Sequence, residues 1–347
     1  PPLSDFKERI RVLQYSSTPV LQPSEEFKGM ISQKELTGLT QRLKPLIDNY
    51  NKNSKYGPLS FFEVYTSLAF LYFKEKKADF AVLETGLGGR LDATNVVSPL
   101  VAALTPISYE HTQKLGNTLT EITTEKSGII KSQKSILRLR SGLMVSRVEP
   151  SKVKSQNLIV ITAPQEEEAI EVIRNRCKEM DVKLYEIGKD ITYQKTKNGF
   201  SVKGIFGEYP GLNIRLLGDH QLINAAVAVG VVEALRFYNI EVDIEAIRDG
   251  LYNTIWPGRC EVISRNPLTV LDGAQNVASA GVLKQAIKDN FQYKRLILVL
   301  GISNDKDIPG VCNQLTDLAD KIILTKANNP RATEPAELAK YFNGKEI

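Results

Sequence analysis

Residues 80–95 read Phe80-Ala81-Val82-Leu83-Glu84-Thr85-Gly86-Leu87-Gly88-Gly89-Arg90-Leu91-Asp92-Ala93-Thr94-Asn95. An apolar run without alternation, Phe80 to Leu83, predicts a strand buried on both faces, as in parallel sheets. It runs straight into a carboxylate and then into three glycines within four positions, Gly86, Gly88 and Gly89. Such a cluster cannot be a helix interior. It permits positive φ and close approach of the backbone to a ligand. A tight surface turn with incidental charge is the other reading. The preceding strand and the Asp92-Ala93-Thr94-Asn95 tail favour a ligand-binding loop.

Working outward, the same pattern recurs. Val101–Leu104 runs into Thr105, Leu158–Ile161 into Thr162 and Leu268–Leu271 into Asp272. Leu296–Leu300 then ends at Gly301, and Ile322–Leu324 at Thr325. Helical segments are expected at Phe61–Lys74, Gln165–Met180, Gln221–Phe237 and Ser279–Phe291. In the second of these Ala169, Ile170, Val172, Ile173 and Cys177 fall at helical spacing behind an acidic first turn. Strand-helix alternation predicts an α/β protein with parallel sheets, whose chemistry sits at the carboxyl ends of the strands. Glu84, Thr105 and Asp272 occupy such ends. The pattern restarts after Trp256-Pro257-Gly258, so two domains are expected, 1–256 and 257–347. Leu13–Gly29 and the basic stretch Ser132–Gln156 interrupt the pattern and read as surface insertions.

The chain has 347 residues, enough for about two domains. Its net charge of +5 is too small at this length to argue for a nucleic-acid or membrane-surface partner. Two histidines, His111 and His220, and three distant cysteines cannot form a zinc cluster by local spacing. Three cysteines so far apart also exclude a disulfide scaffold, which fits a reducing cytosol. No run of 18 apolar residues occurs.

Other motifs follow the strands. Glu84 ends its strand where P-loop-type enzymes set a Mg²⁺-directed carboxylate. Ser108-Tyr109-Glu110-His111-Thr112 follows the next strand, and His111 reads either as a packed side chain or as a metal or phosphate ligand. Lys126, in Glu125-Lys126-Ser127-Gly128, reads as a solvated helix charge or an active-site lysine. Gly218-Asp219-His220-Gln221 precedes Asn224 at a helix start, where local capping is the alternative to ligand binding. Arg259, in Trp256-Pro257-Gly258-Arg259, is a linker arginine able to pair with a carboxylate or reach a phosphate. Asp272-Gly273-Ala274-Gln275-Asn276 closes a strand and opens a helix, a natural binding edge.

Taken in order, these motifs resemble the folylpolyglutamate synthase and dihydrofolate synthase family of the Mur ligase superfamily. Residues 82–95 and 111–128 match two of its signatures, with Ser127 in place of Ala. Gly-x-His-Gln-x-x-Asn-Ala, Trp-Pro-Gly-Arg, Asp-Gly-Ala-x-Asn and Asp305-Lys306-Asp307 follow in family order. The resemblance implies a P-loop-type parallel-sheet ATPase domain followed by a smaller Rossmann-like domain. It implies ATP-dependent ligation of L-glutamate to a folate or dihydropteroate carboxylate through an acyl phosphate. Glu84 and His111 would ligate Mg²⁺, with Lys126 joining them if carbamylated. Asn224, Arg259 and Asp272 would serve ATP, and Gln275 and Asp92 the other substrates. Lys126, His111 and Arg259 are thereby the expected catalytic residues. The partners implied are small molecules, with no nucleic acid and no membrane, for a cytoplasmic monomer.

Departures from the pattern define the alternatives. No Gly-x-x-x-x-Gly-Lys-Ser/Thr occurs in the 347 residues. The family's first strand, phosphate loop and first helix would precede Pro1, and its last elements would follow Ile347. These 347 residues alone are therefore expected not to turn over, and a non-catalytic remnant is one alternative. Another ligase of the superfamily, for cell-wall peptide or cyanophycin, is the second. Glu110 and Gln275 stand where the family usually has Asp and His.

Overall fold

The computed structural model describes residues 10, 29–132, 158–342 and 344–346. The expected insertions at 13–29 and 132–156 therefore lie, apart from their end residues Gly29 and Ser132, outside the described residues. Packing divides the chain into two compact units. The first comprises Pro1–Ala102, Thr112–Leu158 and Glu167–Lys183, and the second Ala103–His111, Ile159–Glu166 and Leu184–Ile347. The division expected after Trp256 lies inside the second.

The first unit opens with α1 (Gln33–Asn53) and α2 (Phe61–Glu75). Ser32 and Ser60 cap them identically. Each hydroxyl accepts from the N–H of the third helical residue, Glu35 or Glu63, whose carboxylate returns to the serine N–H. A hydrogen bond from Lys76 adds to this and lowers Glu35 to about 2. Ile10, Ile31, Leu39, Tyr65, Leu68 and Tyr72 form the core of the pair. The strand expected at Phe80–Leu83 does not form. Phe80 and Val82 are 54% and 96% exposed. The run is apolar enough to be buried, but a strand exists only through ladder hydrogen bonds, and no described segment supplies them. The unit continues with α3 (Thr112–Leu115), α4 (Leu119–Ser127) and α5 (Glu167–Met180). In α5, Ala169, Ile170, Ile173 and Cys177 are buried, as the spacing predicts. Its Glu168 accepts from the N–H and hydroxyl of Thr120 on α4.

Strands β1 (Val101–Leu104), β2 (Ile159–Thr162) and β3 (Lys183–Glu186), for the most part in the second unit, form a sheet in that order. The central strand β2 is buried at every position. Helix α6 (His220–Ala234) lies against it. A Cβ on Gly230 would meet Ile191 Cδ1 at 2.6 Å and Ile161 Cγ2 at 3.3 Å, so a larger residue would force those buried side chains to shift. Residues 220–238 are long and apolar enough to cross a membrane, but 44% of the segment is buried, and its packing on β2 is that of a core helix.

An antiparallel meander, β4 (Thr192–Thr196), β5 (Gly199–Lys203) and β6 (Glu208–Leu212), was not legible as strands in the sequence. Glu233 of α6, 1% exposed, anchors it. Its carboxylate accepts from the N–H groups of Ile205, Phe206 and Gly207 and from the Tyr209 hydroxyl, at 2.6–3.1 Å. Burial, reinforced by that carboxylate, pushes Tyr209 up to about 12.

After α7 (Ile244–Tyr252) come β7 (Glu261–Arg265), β8 (Leu268–Leu271), α8 (Val277–Asn290), β9 (Ile297–Leu300), α9 (Ile308–Thr316), β10 (Lys321–Leu324) and α10 (Pro335–Ala339). Strands β9 and β10 are parallel, as expected. Leu300, Ile302, Val311, Cys312, Leu315, Ile322, Leu338 and Phe342 make their core. Two expectations are corrected. Strand β8 pairs antiparallel with β7, and Leu268 and Leu271 are exposed. Ile297, Val299 and Ile323 are also exposed, because the described helices cover only one face of β9–β10.

Candidate active site

The glycine loop belongs to the first unit and is organised by Asp92. One carboxylate oxygen accepts from the N–H groups of Gly86 and Leu87 at 3.0 and 2.9 Å. The other accepts from the N–H and hydroxyl of Thr94 at 2.9 and 2.6 Å. Both oxygens of Asp92, expected to serve a substrate, are thus engaged in shaping the loop. Gly88 sits at φ +67°, where a side chain would be strained and would press on Leu115. The loop lies on the C-terminal turn of α4, which carries Lys126. No described hydrogen bond or ion pair holds the carboxylate of Glu84 or the ammonium of Lys126, so both remain available to a ligand. Nearby, Lys131 donates to the carbonyls of Asn95 and Val97 at 2.6 Å, and burial pulls its pKa down.

In the second unit, the segment after β1 places Glu110 beside three polar groups. Its Oε1 lies 3.3 Å from Lys306 Nζ, 3.5 Å from Gln275 Nε2 and 3.7 Å from His111 Nε2. The Lys306 side chain is only 10% exposed. His111 has φ +54°, an unfavourable region for a non-glycine residue and one enriched at functional sites. The sequence reading did not select Lys306. Its signal was the Asp305-Lys306-Asp307 motif after β9.

The Trp-Pro-Gly-Arg turn docks on the Asp-Gly-Ala turn. Asp272 Oδ2 accepts from Cys260 N–H, and Oδ1 from Ala274 N–H, each at 2.7 Å. Gly273 N–H donates to the Gly258 carbonyl at 2.9 Å. That carbonyl also accepts from Arg259 Nη1 at 3.1 Å, the one described bond of this guanidinium. Cys260 itself stands at φ +46°. Burial, with the Asp272 charge adding to it, pushes its thiol up to about 11. At the start of α6, Asn224 Nδ2 donates to Gln221 Oε1 at 3.0 Å, the local bond anticipated for this turn. Asp219 makes no side-chain cap and pairs with Lys195 at 2.7 Å. Burial lowers the pKa of His220 despite the opposing charges of Asp272 and Asp219.

The expected residues therefore fall into two sets. Glu84, Asp92 and Lys126 belong to the first unit, and His111, Asn224, Arg259, Asp272 and Gln275 to the second. Among the described residues, no group of three or more His, Cys, Asp or Glu side chains is arranged to hold a metal ion. A carbamylated lysine lies outside that donor set.

Comparison with known proteins gives these turns a context. Residues 59–232 match the Mur ligase middle domain, and residues 258–347 the Mur ligase, glutamate ligase domain. The chain is 33% identical over 315 residues to dihydrofolate synthase/folylpolyglutamate synthase of Bacillus subtilis (strain 168), covering 89% of this chain and 67% of that protein. Against the protein of the same name from Mycobacterium tuberculosis it is 31% identical, covering 86% and 59%. The chain thus spans about three-fifths to two-thirds of these relatives. Folylpolyglutamate synthase of Mycobacterium tuberculosis, solved with ADP and AMPPCP, matches with a TM-score of 0.80 at 29% identity, covering 91% of this chain and 68% of that one. FolC of E. coli, solved with DHPP and ADP, gives 0.77 at 26% identity, covering 98% and 73%. With the motifs in matching order and both domain models satisfied, the chain belongs to the Mur ligase family, among its folylpolyglutamate synthase/dihydrofolate synthase members.

Proposed function

We propose that the protein carrying these residues joins L-glutamate to a folate or dihydropteroate carboxylate, with ATP converted to ADP through an acyl phosphate. The single observation that carries this reading is the joint survival of the glycine loop and the docked Arg259–Asp272 turns in a chain of this family. Phosphoryl transfer depends on alignment and charge neutralisation more than on covalent help from the protein. The Arg259 guanidinium, with one described bond to a carbonyl, suits that task. Asn224 and Asp272 would shape the nucleotide side, Asp272 by fixing the turn from which Arg259 projects. Asp92 would act on substrate through the loop it organises. Gln275 would meet the incoming amino acid as a neutral hydrogen-bonding group. Within the first unit a hard cation such as Mg²⁺ suits the carboxylate of Glu84 and a carbamylated Lys126, and when bound it would neutralise charge on the transferring phosphate; His111 is the proposed metal ligand of the second unit. The domain division is proposed at 256/257. The partners would be small molecules, and the compartment the cytoplasm, for a monomer.

The test supplies ATP, Mg²⁺ and labelled glutamate with dihydropteroate or a reduced folate as acceptor. Label transfer and ADP release that need both acceptor and glutamate are expected from the enzyme. ADP release coupled instead to a cell-wall precursor would overturn the folate assignment.

A further inference from the structure

We propose that Arg90 and Glu125 are positioning residues that lock the glycine loop onto α4 and thereby fix Lys126. The inference rests on the proposed ligand role of Lys126 and adds a device that sets its direction. Arg90 N–H donates to the Glu125 carbonyl at 2.9 Å. Arg90 Nε reaches both Glu125 carboxylate oxygens, at 3.1 and 3.2 Å, and Nη2 reaches Oε1 at 3.0 Å. One residue is thus bound to the other by main chain and side chain together.

Two glycines close the contact sterically. A Cβ on Gly89 would lie 2.6 Å from the Lys126 carbonyl oxygen and 2.9 Å from that of Glu125. A Cβ on Gly128 would lie 2.5 Å from Arg90 Cα and 2.8 Å from Arg90 N. Backbone faces backbone from both sides, and neither strip can yield as a flexible side chain would. Asn95 seals the far edge, its Nδ2 donating to the carbonyls of Arg90 and Gly128 at 3.2 and 3.1 Å. The peptide of Lys126 is enclosed between these contacts, so it moves only with the loop.

The ion pair is unsuited to a purely stabilising role. The Arg90 side chain is 54% exposed and that of Glu125 25% exposed. Exposed pairs add little to stability. What the guanidinium supplies is a fixed fork on a carboxylate, a geometry that lysine cannot reproduce.

The experiment uses the 347-residue chain, its Arg90→Ala, Arg90→Lys and Glu125→Gln variants and the swap Arg90→Glu with Glu125→Arg. Deuterium exchange is followed over residues 84–95. The rate of Lys126 acetylation by acetic anhydride is measured relative to Lys131. Loss of the lock should speed exchange in the loop about threefold, as local opening becomes easier. It should also change the relative acetylation of Lys126 roughly threefold, by altering the exposure of its amine. The swap should restore both. Arg90→Lys keeps the charge and the fold, and should still loosen the loop. Unchanged loop exchange in Arg90→Lys and Glu125→Gln would overturn the lock. Faster exchange with unchanged Lys126 acetylation would overturn the positioning of Lys126. The ligand role is read separately: a Lys126→Ala enzyme that retains glutamate ligation would remove that reading and leave the lock standing.

Discussion

The glycine loop of the first unit and the Gly258–Ala274 junction of the second are built from the same parts, an aspartate, an arginine and close glycines, used differently. Asp92 spends both oxygens on donors within six residues of itself, so the loop organises itself. Asp272 bridges to Cys260, 12 residues away, so its turn exists only once the β7–β8 hairpin has formed. The arginines diverge in the same way. Arg90 is committed to the Glu125 carboxylate. Arg259 makes one described bond to a neighbouring carbonyl and keeps its other donors for a ligand. An arginine bound to a carboxylate positions the protein; one resting on a carbonyl is ready for a phosphate.

The comparison breaks most sharply at the aspartates. Asp92→Ala strands four donors and should cost about 3 kcal/mol, whereas Asp272→Ala strands two and should cost about half of that. Urea unfolding of both variants checks this, and equal losses would erase the distinction. The glycines come next. Gly128→Ala meets the Arg90 backbone and should cost about 2 kcal/mol. Gly273→Ala meets only the tip of Arg259, at 2.8 Å from Nη1, so the guanidinium can swing aside and stability should change by less than about 0.5 kcal/mol. The same substitution should weaken ATP handling in the active enzyme about tenfold, a drop in kcat/KM with no matching drop in Tm.

Acid should separate the units. His220 has a pKa below its ordinary 6.5, because burial disfavours its charged form. Below that pH the unfolded chain binds a proton that the folded chain refuses, so stability falls as pH drops from 6.5 towards the lowered value. Glu35 in the first unit is depressed to about 2, chiefly by Lys76, and its contribution is lost only as pH falls from 4.5 towards 2. Site-resolved exchange from pH 7 to 3 should show α6 loosening before α1, and His220→Gln should flatten the first phase. The smallest effect is Arg90→Lys, with less than about 1 kcal/mol on stability because the pair is exposed. A larger loss in urea unfolding would make that ion pair structural.

Legibility followed how locally each feature is specified. Helices α2, α5 and α6 were readable because their apolar spacing lies within one segment. Helix α1 was missed, since it is polar, buries only Leu39 and contains Pro45. The β4–β6 meander was missed because Thr192–Thr196 is almost wholly polar and exposed, and its strands are held largely by partners and by Glu233. The site residues were legible as motifs, but their partners were not. Nothing near Arg90 in the sequence points to Glu125, 35 residues on.

The α/β class, the order of the motifs and the family are written in the residues themselves, because glycine spacing and the placement of carboxylates after apolar runs are local chemical requirements. Long-range packing is what leaves Phe80–Leu83 without a ladder, sets β8 antiparallel and turns Asp92 and Asp272 to their own turns. Hydrophobicity says that a segment can be buried and a carboxylate that it can accept hydrogen bonds. Which neighbour answers is settled by packing between residues distant in the chain.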